Sequence, residues 1–391
     1  MNGIVDIMDI KTGNTKSVLN TLRFSDQLTK KDIALHTCLS FATVSNLCNE
    51  LKSANVICNF KKEQKSVGRK PNSLSLNFDH FCILALDMQL EYTLGLAILN
   101  LKNDIIWKDS YDISNLTKAS EIVKFAKEAF DKIIELRHLN EVEFIGVGAA
   151  VPAVYDSDTS TLSLSAIAMF EQVPLKQMLG DAFGMMPYVD NIANIRALSV
   201  HTRFPEMNNI VCLDVSQGVG VGAISEGNLI RGKHGYATEV AHVPIGDPNL
   251  LCPVCGGTGC VELELSLEGM LHYSTDLLHT DSLIHRWNYF VKLLSESKLD
   301  GREFAEHIGT LLGKLASILI NLFDPEVFFI TGYITDVFDI LAPYFQQQLS
   351  QRCKLALQQG LKIQVEKQDS CNSDVFIGLS DAVYNRWEPL R

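Results

Sequence analysis

One imidazole and three thiols lie close together in this chain. His242 is followed, after nine residues, by Cys252-Pro-Val-Cys255-Gly-Gly-Thr-Gly-Cys260. Each thiolate or neutral imidazole offers one donor atom, and four such donors complete the tetrahedral shell that zinc prefers. The Cys252/Cys255 pair reads as a knuckle, closed by Cys260 and His242. Four protein ligands leave no open position, so the zinc is expected to be structural. Met1–Asp9 is acidic, and no apolar stretch with a small-residue cleavage site follows it. The ten cysteines are therefore read as reduced thiols or metal ligands in a cytoplasmic protein. No run of about 18 apolar residues occurs, so no membrane span is expected.

A second group of side chains has the chemistry of a nucleic-acid contact. Val44, Leu47, Cys48 and Leu51 recur at i, i+3, i+4 and i+7 and predict a helix over Phe41–Ser53, with Ser40 as its cap. The other face carries Thr43, Ser45, Asn46, Asn49 and Lys52, polar groups able to reach base edges and phosphates. Two helices precede it. Val18, Leu19 and Leu22 share a face of the first, and Thr29-Lys-Lys-Asp32 is a capping-box variant that opens the second. Beyond Ser53, Asn55–Phe60 and Asn72–Asn77 alternate as two strands. The tip between them holds Lys61, Lys62, Lys65, Arg69 and Lys70. Helix, helix, basic wing is the plan of a winged helix-turn-helix for a double-stranded DNA operator. In that plan Lys61 and Lys62 meet phosphates, and Gly68-Arg69-Lys70-Pro71, which leaves the wing, is either an ordinary linker turn or an Arg/Lys pair entering a minor groove.

These residues need a body to position them. The chain has 391 residues, 47% hydrophobic and 20% charged. That excludes collagen, disorder and a disulfide miniprotein and leaves room for two or three domains. The net charge of −12 is unevenly spread: residues 1–77 carry 11 Lys and Arg against 6 Asp and Glu, and residues 78–391 carry 23 against 40. A basic head on an acidic body implies that only the head meets a polyanion. From Phe81 onward strands alternate with helices. Apolar runs at Phe81–Met88, Thr93–Leu99, Phe144–Pro152, Ile210–Val215, Val219–Ser225 and Val327–Thr331 read as strands, and Ile122–His138 and Phe304–Phe323 as helices. The expected fold class is α/β, with two lobes and a cleft between them.

The stretch from Gly218 through Glu239-Val-Ala-His242, followed by the cysteines and Val261-Glu262, resembles the signature of the ROK family of bacterial sugar kinases and sugar-responsive repressors. Gly146–Pro152 resembles that family's sugar-side loop, and Asn321–Glu326 with the strand to Gly332 its nucleotide-side motif. With the head included, the resemblance is to the repressor branch, of the xylose- or N-acetylglucosamine-responsive kind. It implies an actin-like, ribonuclease-H-like pair of lobes. The winged head would occupy 1–78 and the first lobe 79–190, completed by the C-terminal helix within 374–391. The second lobe, 191–373, would hold the zinc site and the sugar pocket. The resemblance also implies that Asn191, Glu239, His242 and Glu262 hydrogen-bond sugar hydroxyls, with His242 serving both zinc and pocket. If the segment is helical, Glu239 and His242 share a face.

Departures from the kinase pattern are as informative. Family kinases carry Asp-x-Gly-Gly-Thr after the first strand, whose glycines let backbone N–H groups approach phosphate. Here the stretch is Asp87-Met-Gln-Leu-Glu-Tyr92, with no glycine and with Glu91 to repel a triphosphate. The kinases' catalytic Asp is replaced by Ile192, which cannot act as a base. On an extended segment Asp190 would lie about 7 Å further back. The family's Cys-x-Cys is one residue longer here. The expectation is a regulator, a repressor of carbohydrate genes without kinase activity, answering to a sugar or sugar phosphate as a homodimer or homotetramer. The rival readings are a sugar kinase with an appended DNA-binding domain and a scaffold whose body binds another protein.

Overall fold

The structure, a computed structural model, describes residues 7–25, 27–60, 73–88, 92–163, 165, 167–273, 282–367 and 373–390. Lys61, Lys62, Lys65, Arg69, Lys70 and Glu91 lie outside the described residues.

The head consists of α1 (Ile7–Phe24), α2 (Lys30–Thr37), α3 (Phe41–Ser53) and the antiparallel pair β1 (Ile57–Phe60) and β2 (Ser73–Leu76). Local chemistry sets its boundaries. The Thr29 hydroxyl accepts from the Asp32 N–H at 3.3 Å, and the Asp32 carboxylate accepts from the Thr29 N–H at 2.9 Å, a capping box that starts α2. Those bonds hold the Asp32 carboxyl below its ordinary range. Ser40 caps α3 by accepting from the Thr43 N–H at 3.1 Å. Val44, Leu47, Cys48 and Leu51 are all buried, against Val18, Leu19 and Leu22 of α1.

Two five-stranded sheets follow, built alike. In the first, β3 (Phe81–Met88), β4 (Thr93–Asn100) and β5 (Ile105–Asp112) are antiparallel neighbours. After α4 (Ala119–Leu136), β6 (Glu143–Val151) pairs parallel to β3. The small hairpin β7 (Val154–Asp156) and β8 (Thr161–Ser163) and helix α5 (Leu175–Phe183) lead to β9 (Pro187–Asn191), parallel to β6. Helix α6 (Ile192–Arg203) leaves that strand without an intervening loop. The second sheet repeats the scheme. β10 (Ile210–Val215), β11 (Val219–Ser225) and β12 (Asn228–Leu229) are antiparallel. Helices α7 (Glu262–Leu265), α8 (Leu267–Leu271), α9 (Leu283–Ser295) and α10 (Arg302–Phe323) precede β13 (Val327–Thr331), parallel to β10. Helices α11 (Phe338–Arg352) and α12 (Lys354–Gln358) precede β14 (Lys362–Val365), parallel to β13, and α13 (Ser373–Tyr384) ends the chain's regular structure. The sheet orders β5-β4-β3-β6-β9 and β12-β11-β10-β13-β14 are one topology used twice.

Helices α6 and α13 cross between the sheets. Their axes approach closely because residue 378 is glycine: a Cβ there would come within 2.1 Å of the Ile195 carbonyl oxygen. α6 packs on β10 and β11, and α13 on β3 and β6.

The head's core is continuous with the body's, through Phe81, Ile83, Leu99 and the apolar face of α13. One buried cation fastens the junction. Arg23 of α1 donates to the Leu101 carbonyl at 2.8 Å, to Asp381 of α13 at 2.8 Å and to the Asn103 side chain at 2.7 Å. Its guanidinium also lies 3.9 Å from the centroid of the Tyr384 ring. Removing one partner of a buried pair strands the other charge, so Arg23→Met should cost about 3–5 kcal/mol. Urea denaturation would measure this, and adding Asp381→Asn to Arg23→Met should recover part of the loss.

Candidate functional site

The strands bring their carboxyl ends to one crevice, where ligands of open α/β sheets bind. Asp87 near the end of β3, Asn191 at the end of β9 and Asp214 near the end of β10 border a cavity of about 500 Å³. Asn191, Glu239, His242 and Glu262 all line it, so residues up to 71 positions apart converge on one space. Asn191 caps α6: its side-chain oxygen accepts from the Ala193 N–H at 2.8 Å, and its amide donates to the Ala153 carbonyl at 3.4 Å. Glu262 opens α7, and its Oε1 accepts from the Val219 N–H at 3.4 Å.

The helical spacing expected of Glu239 and His242 is not what joins them. Residues 231–245 run through turns and bends, and the two side chains meet because the chain folds back there. Glu239 keeps a route to solvent, yet the cavity walls strip much of its hydration. Its carboxyl is raised first by that desolvation and then by Glu262, against the pull of His242. Glu262 is raised for the same first reason, opposed by the Val219 N–H and by His242. Two carboxylates and an imidazole in one cavity supply acceptors and a donor for vicinal hydroxyls.

Ile192 lines the same cavity. The extended segment considered for Asp190 stops short of Ile192: β9 ends at Asn191 and Ile192 begins α6. Asp190 is turned away and fully engaged. It accepts from the Tyr188 hydroxyl at 2.7 Å, the Asn191 N–H at 2.9 Å and the Asn194 amide at 2.9 Å, and it ion-pairs with Arg231. Four donors already occupy the lone pairs of this carboxylate, so it offers no free acceptor to a substrate hydroxyl in the cavity.

Sequence reasoning missed the charge centre of the cavity. Arg196 of α6 is 3% exposed, ion-pairs with Asp214 at 2.9 Å and also with Asp374 of α13, and lies within electrostatic reach of Asp87. The available signal was an arginine inside the run Ile195-Arg196-Ala197-Leu198. A charge on an apolar helix stretch needs partners from elsewhere.

Beside the cavity, His242, Cys252, Cys255 and Cys260 present ligand atoms all within 4.8 Å of one another. His242 Nδ1 lies 3.7 Å from the Cys252 Sγ, and the Cys255 and Cys260 sulfurs are 3.4 Å apart. Tetrahedral zinc with ordinary bond lengths has ligand–ligand edges of about 3.5–3.8 Å. The thiols are free. Backbone N–H groups of the knuckle, led by that of Cys255, pull the Cys252 thiol down to about 7, whereas burial and the neighbouring thiols push Cys260 up to about 12. Three sulfurs crowded together with no internal cation form a donor set that fits a metal ion.

On the head, Asn46, Asn49 and Lys52 are exposed along α3, and Thr43 and Ser45 are half-buried. Lys30 of α2, not singled out in the sequence, donates to Asn49 at 2.8 Å and to the Ser45 hydroxyl at 3.1 Å and so joins this polar face. Lys52 donates to Asn59 at 3.1 Å.

Two lobes of repeated topology around a cleft, with crossed helices between the sheets, define an actin-like α/β body. The ROK family model matches residues 95–383, and the chain belongs to the ROK family. The xylose repressor of Caldicellulosiruptor bescii is 24% identical over 370 residues, covering 92% of each chain. A solved ROK family transcriptional regulator, a homologue of the Escherichia coli MLC protein, superposes with a TM-score of 0.81 at 19% identity, over 96% of this chain and 97% of that one. A ROK glucokinase from Streptomyces griseus, solved with glucose and AMPPNP, gives 0.61 at 17% identity, over 99% of that chain and 78% of this one.

Removing the central cation should be severe. Arg196→Met leaves buried carboxylates facing one another and should destabilise the protein by about 3–5 kcal/mol at neutral pH. Acidification relieves repulsion between stranded carboxylates, so the deficit should shrink as pH falls. Denaturation midpoints of both proteins at pH 7 and pH 5 test this. A deficit that grew on acidification would contradict the assignment.

Proposed function

We propose that this chain is a sugar-responsive, DNA-binding transcriptional repressor of carbohydrate genes, without kinase activity. The observation that carries the reading is the composition of the cleft. It gathers Asn191, Glu239, His242 and Glu262 around one cavity, while Ile192 stands at the base position and Asp190 is locked by Arg231. A site so built offers acceptors to hydroxyls, while the position of the kinases' base holds a side chain that cannot take a proton. The names of the relatives support the same reading: a xylose repressor and a ROK transcriptional regulator match over nine-tenths or more of this chain.

In this reading the head is a winged helix-turn-helix. α3 enters a major groove, where Asn46 and Asn49 read base edges and Thr43, Ser45 and Lys52 hold phosphates. Lys61, Lys62, Arg69 and Lys70 add wing contacts. Two heads of a homodimer, or of a homotetramer, span an operator in the cytoplasm. The sugar acts only so far as it binds the DNA-competent and released arrangements with different affinity. Zinc held by His242, Cys252, Cys255 and Cys260 is structural: it fixes the segment that carries Glu239 and His242, leaving no ligand position open. His242 turns Nδ1 to that cluster and its ring toward the cavity, which ties pocket and metal through one side chain.

Selection of genomic fragments by the purified protein, followed by binding measurements with and without a sugar panel, tests the function. Asn46→Ala or Asn49→Ala should cost about 1–3 kcal/mol on the selected sequence alone. Lys52→Ala should instead lower the salt slope by about one and leave sequence preference intact. No fragment bound above background, or hexose-dependent ATP turnover abolished by Glu239→Ala, would overturn the reading in favour of a kinase or a scaffold.

Metal analysis gives an independent check. Protein purified without chelator should hold about one zinc per chain. Cys255→Ser should lose the metal and lower the unfolding midpoint. Metal-free protein with an unchanged midpoint would remove zinc from the site.

A further inference from the structure

The sugar reading leaves open whether the ligand carries phosphate, and the charges around the cavity bear on that point. Among the described residues that line it, the carboxylates are Asp87, Glu171, Asp214, Glu239 and Glu262. The only guanidinium or ammonium there is Arg196. That cation is already committed, paired with Asp214 at 2.9 Å and with Asp374, in reach of Asp87 as well. One positive charge shared among three aspartates leaves their cluster net negative. Glu171, Glu239 and Glu262 form no ion pair among the described residues. Among the described residues Glu171 accepts only a backbone N–H, from Ser165 at 3.1 Å.

A phosphate can also be gripped by backbone N–H groups of a glycine turn. The cavity has such a turn at Gly218-Val219-Gly220, but a carboxylate already occupies its open side. The Val219 N–H donates to Glu262 Oε1 at 3.4 Å, and a Cβ on Gly218 would come within 2.6 Å of that same oxygen. The first turn of α6 is similarly taken, since Asn191 accepts from the Ala193 N–H at 2.8 Å. At each of these two places an N–H that would face an anion is thus already met by one of the protein's own oxygens.

We infer that the cleft takes an uncharged or aminated saccharide and excludes phosphorylated sugars. This rests on the sugar reading above and narrows it. A phosphomonoester brings a charge of about −1.5 to −2 at neutral pH into a cavity with excess carboxylate. A hydroxyl or ammonium group meets acceptors instead.

Isothermal titration calorimetry on the full chain tests the inference with paired probes: D-glucose, N-acetylglucosamine and glucosamine, each against its 6-phosphate, and D-xylose against xylose 5-phosphate. Any sugar that binds should do so at least about 100-fold more tightly than its phosphate, because like charges brought together in a partly desolvated site are strongly disfavoured. Glu171→Gln should narrow the gap several-fold for the neutral sugars by improving the phosphate's affinity. Added salt should narrow it too. A phosphorylated sugar that binds as tightly as its parent overturns this inference and leaves the sugar-responsive reading standing. No binding by any member of either series, up to millimolar concentration, overturns both.

Discussion

A guanidinium does not give up its proton at any pH the protein meets, so Arg196 cannot be buried as a neutral group. It must be met by negative charge from every wall around it, and the chain supplies Asp214 from the second sheet, Asp374 from the last helix and Asp87 from the first sheet. Three distant stretches of sequence are thereby obliged to arrive at one point. The crossing of α6 and α13 and the ends of β3 and β10 must all be placed so that these charges meet. Hydrophobic burial supplies the driving force on each side, through one cluster that includes α13 and the first sheet and another between α6 and the second sheet. Burial has no direction, however, and the charge contact fixes how the two halves meet.

Segments whose burial is uniform were legible from sequence. β10, β11 and β13 coincide with the apolar runs because nearly every residue in them is buried, so no alternation is needed to find them. The helices of the head were legible through their caps and their i, i+3, i+4 faces, which are local by nature. β5 was not read, since Ile-Ile-Trp-Lys-Asp-Ser-Tyr-Asp is an edge strand with only Trp107 buried. α11 was missed for another reason: it carries Pro343 and only three buried side chains. The start of α6 was not read, because Asn191-Ile192-Ala193-Asn194 has no strong periodicity and the cap that decides it is a side-chain bond.

The site divides along the same line. The Cys3His set is visible because metal ligands announce themselves by residue type and short spacing. The four pocket residues came from likeness to a family, and the structure brings them together by a route that spacing did not indicate. Glu239 and His242 lie in a loop with no helix or strand of its own, so their positions are not secured by a backbone ladder. Links across the loop's ends substitute for one: the Val261 N–H to the Val243 carbonyl at 3.0 Å, and the Glu262 N–H to the Ala241 carbonyl at 3.1 Å. Arg196 and Asp190 were opaque because what they do is set by partners far away in sequence. Asp190 in particular shows that a carboxylate near a reactive position means little until its donors are counted.

Asp374 and Asp381 sit on one short helix, seven residues and therefore two turns apart, on nearly the same azimuth. The first holds Arg196 in the cleft and the second holds Arg23 of the head. A helix is stiff along its axis over about 10 Å. α13 thus behaves as a connecting rod with a pin at each end. It cannot slide or roll far enough to disengage one pin without loading the other, and the small glycine crossing at residue 378 is the bearing on which it would turn.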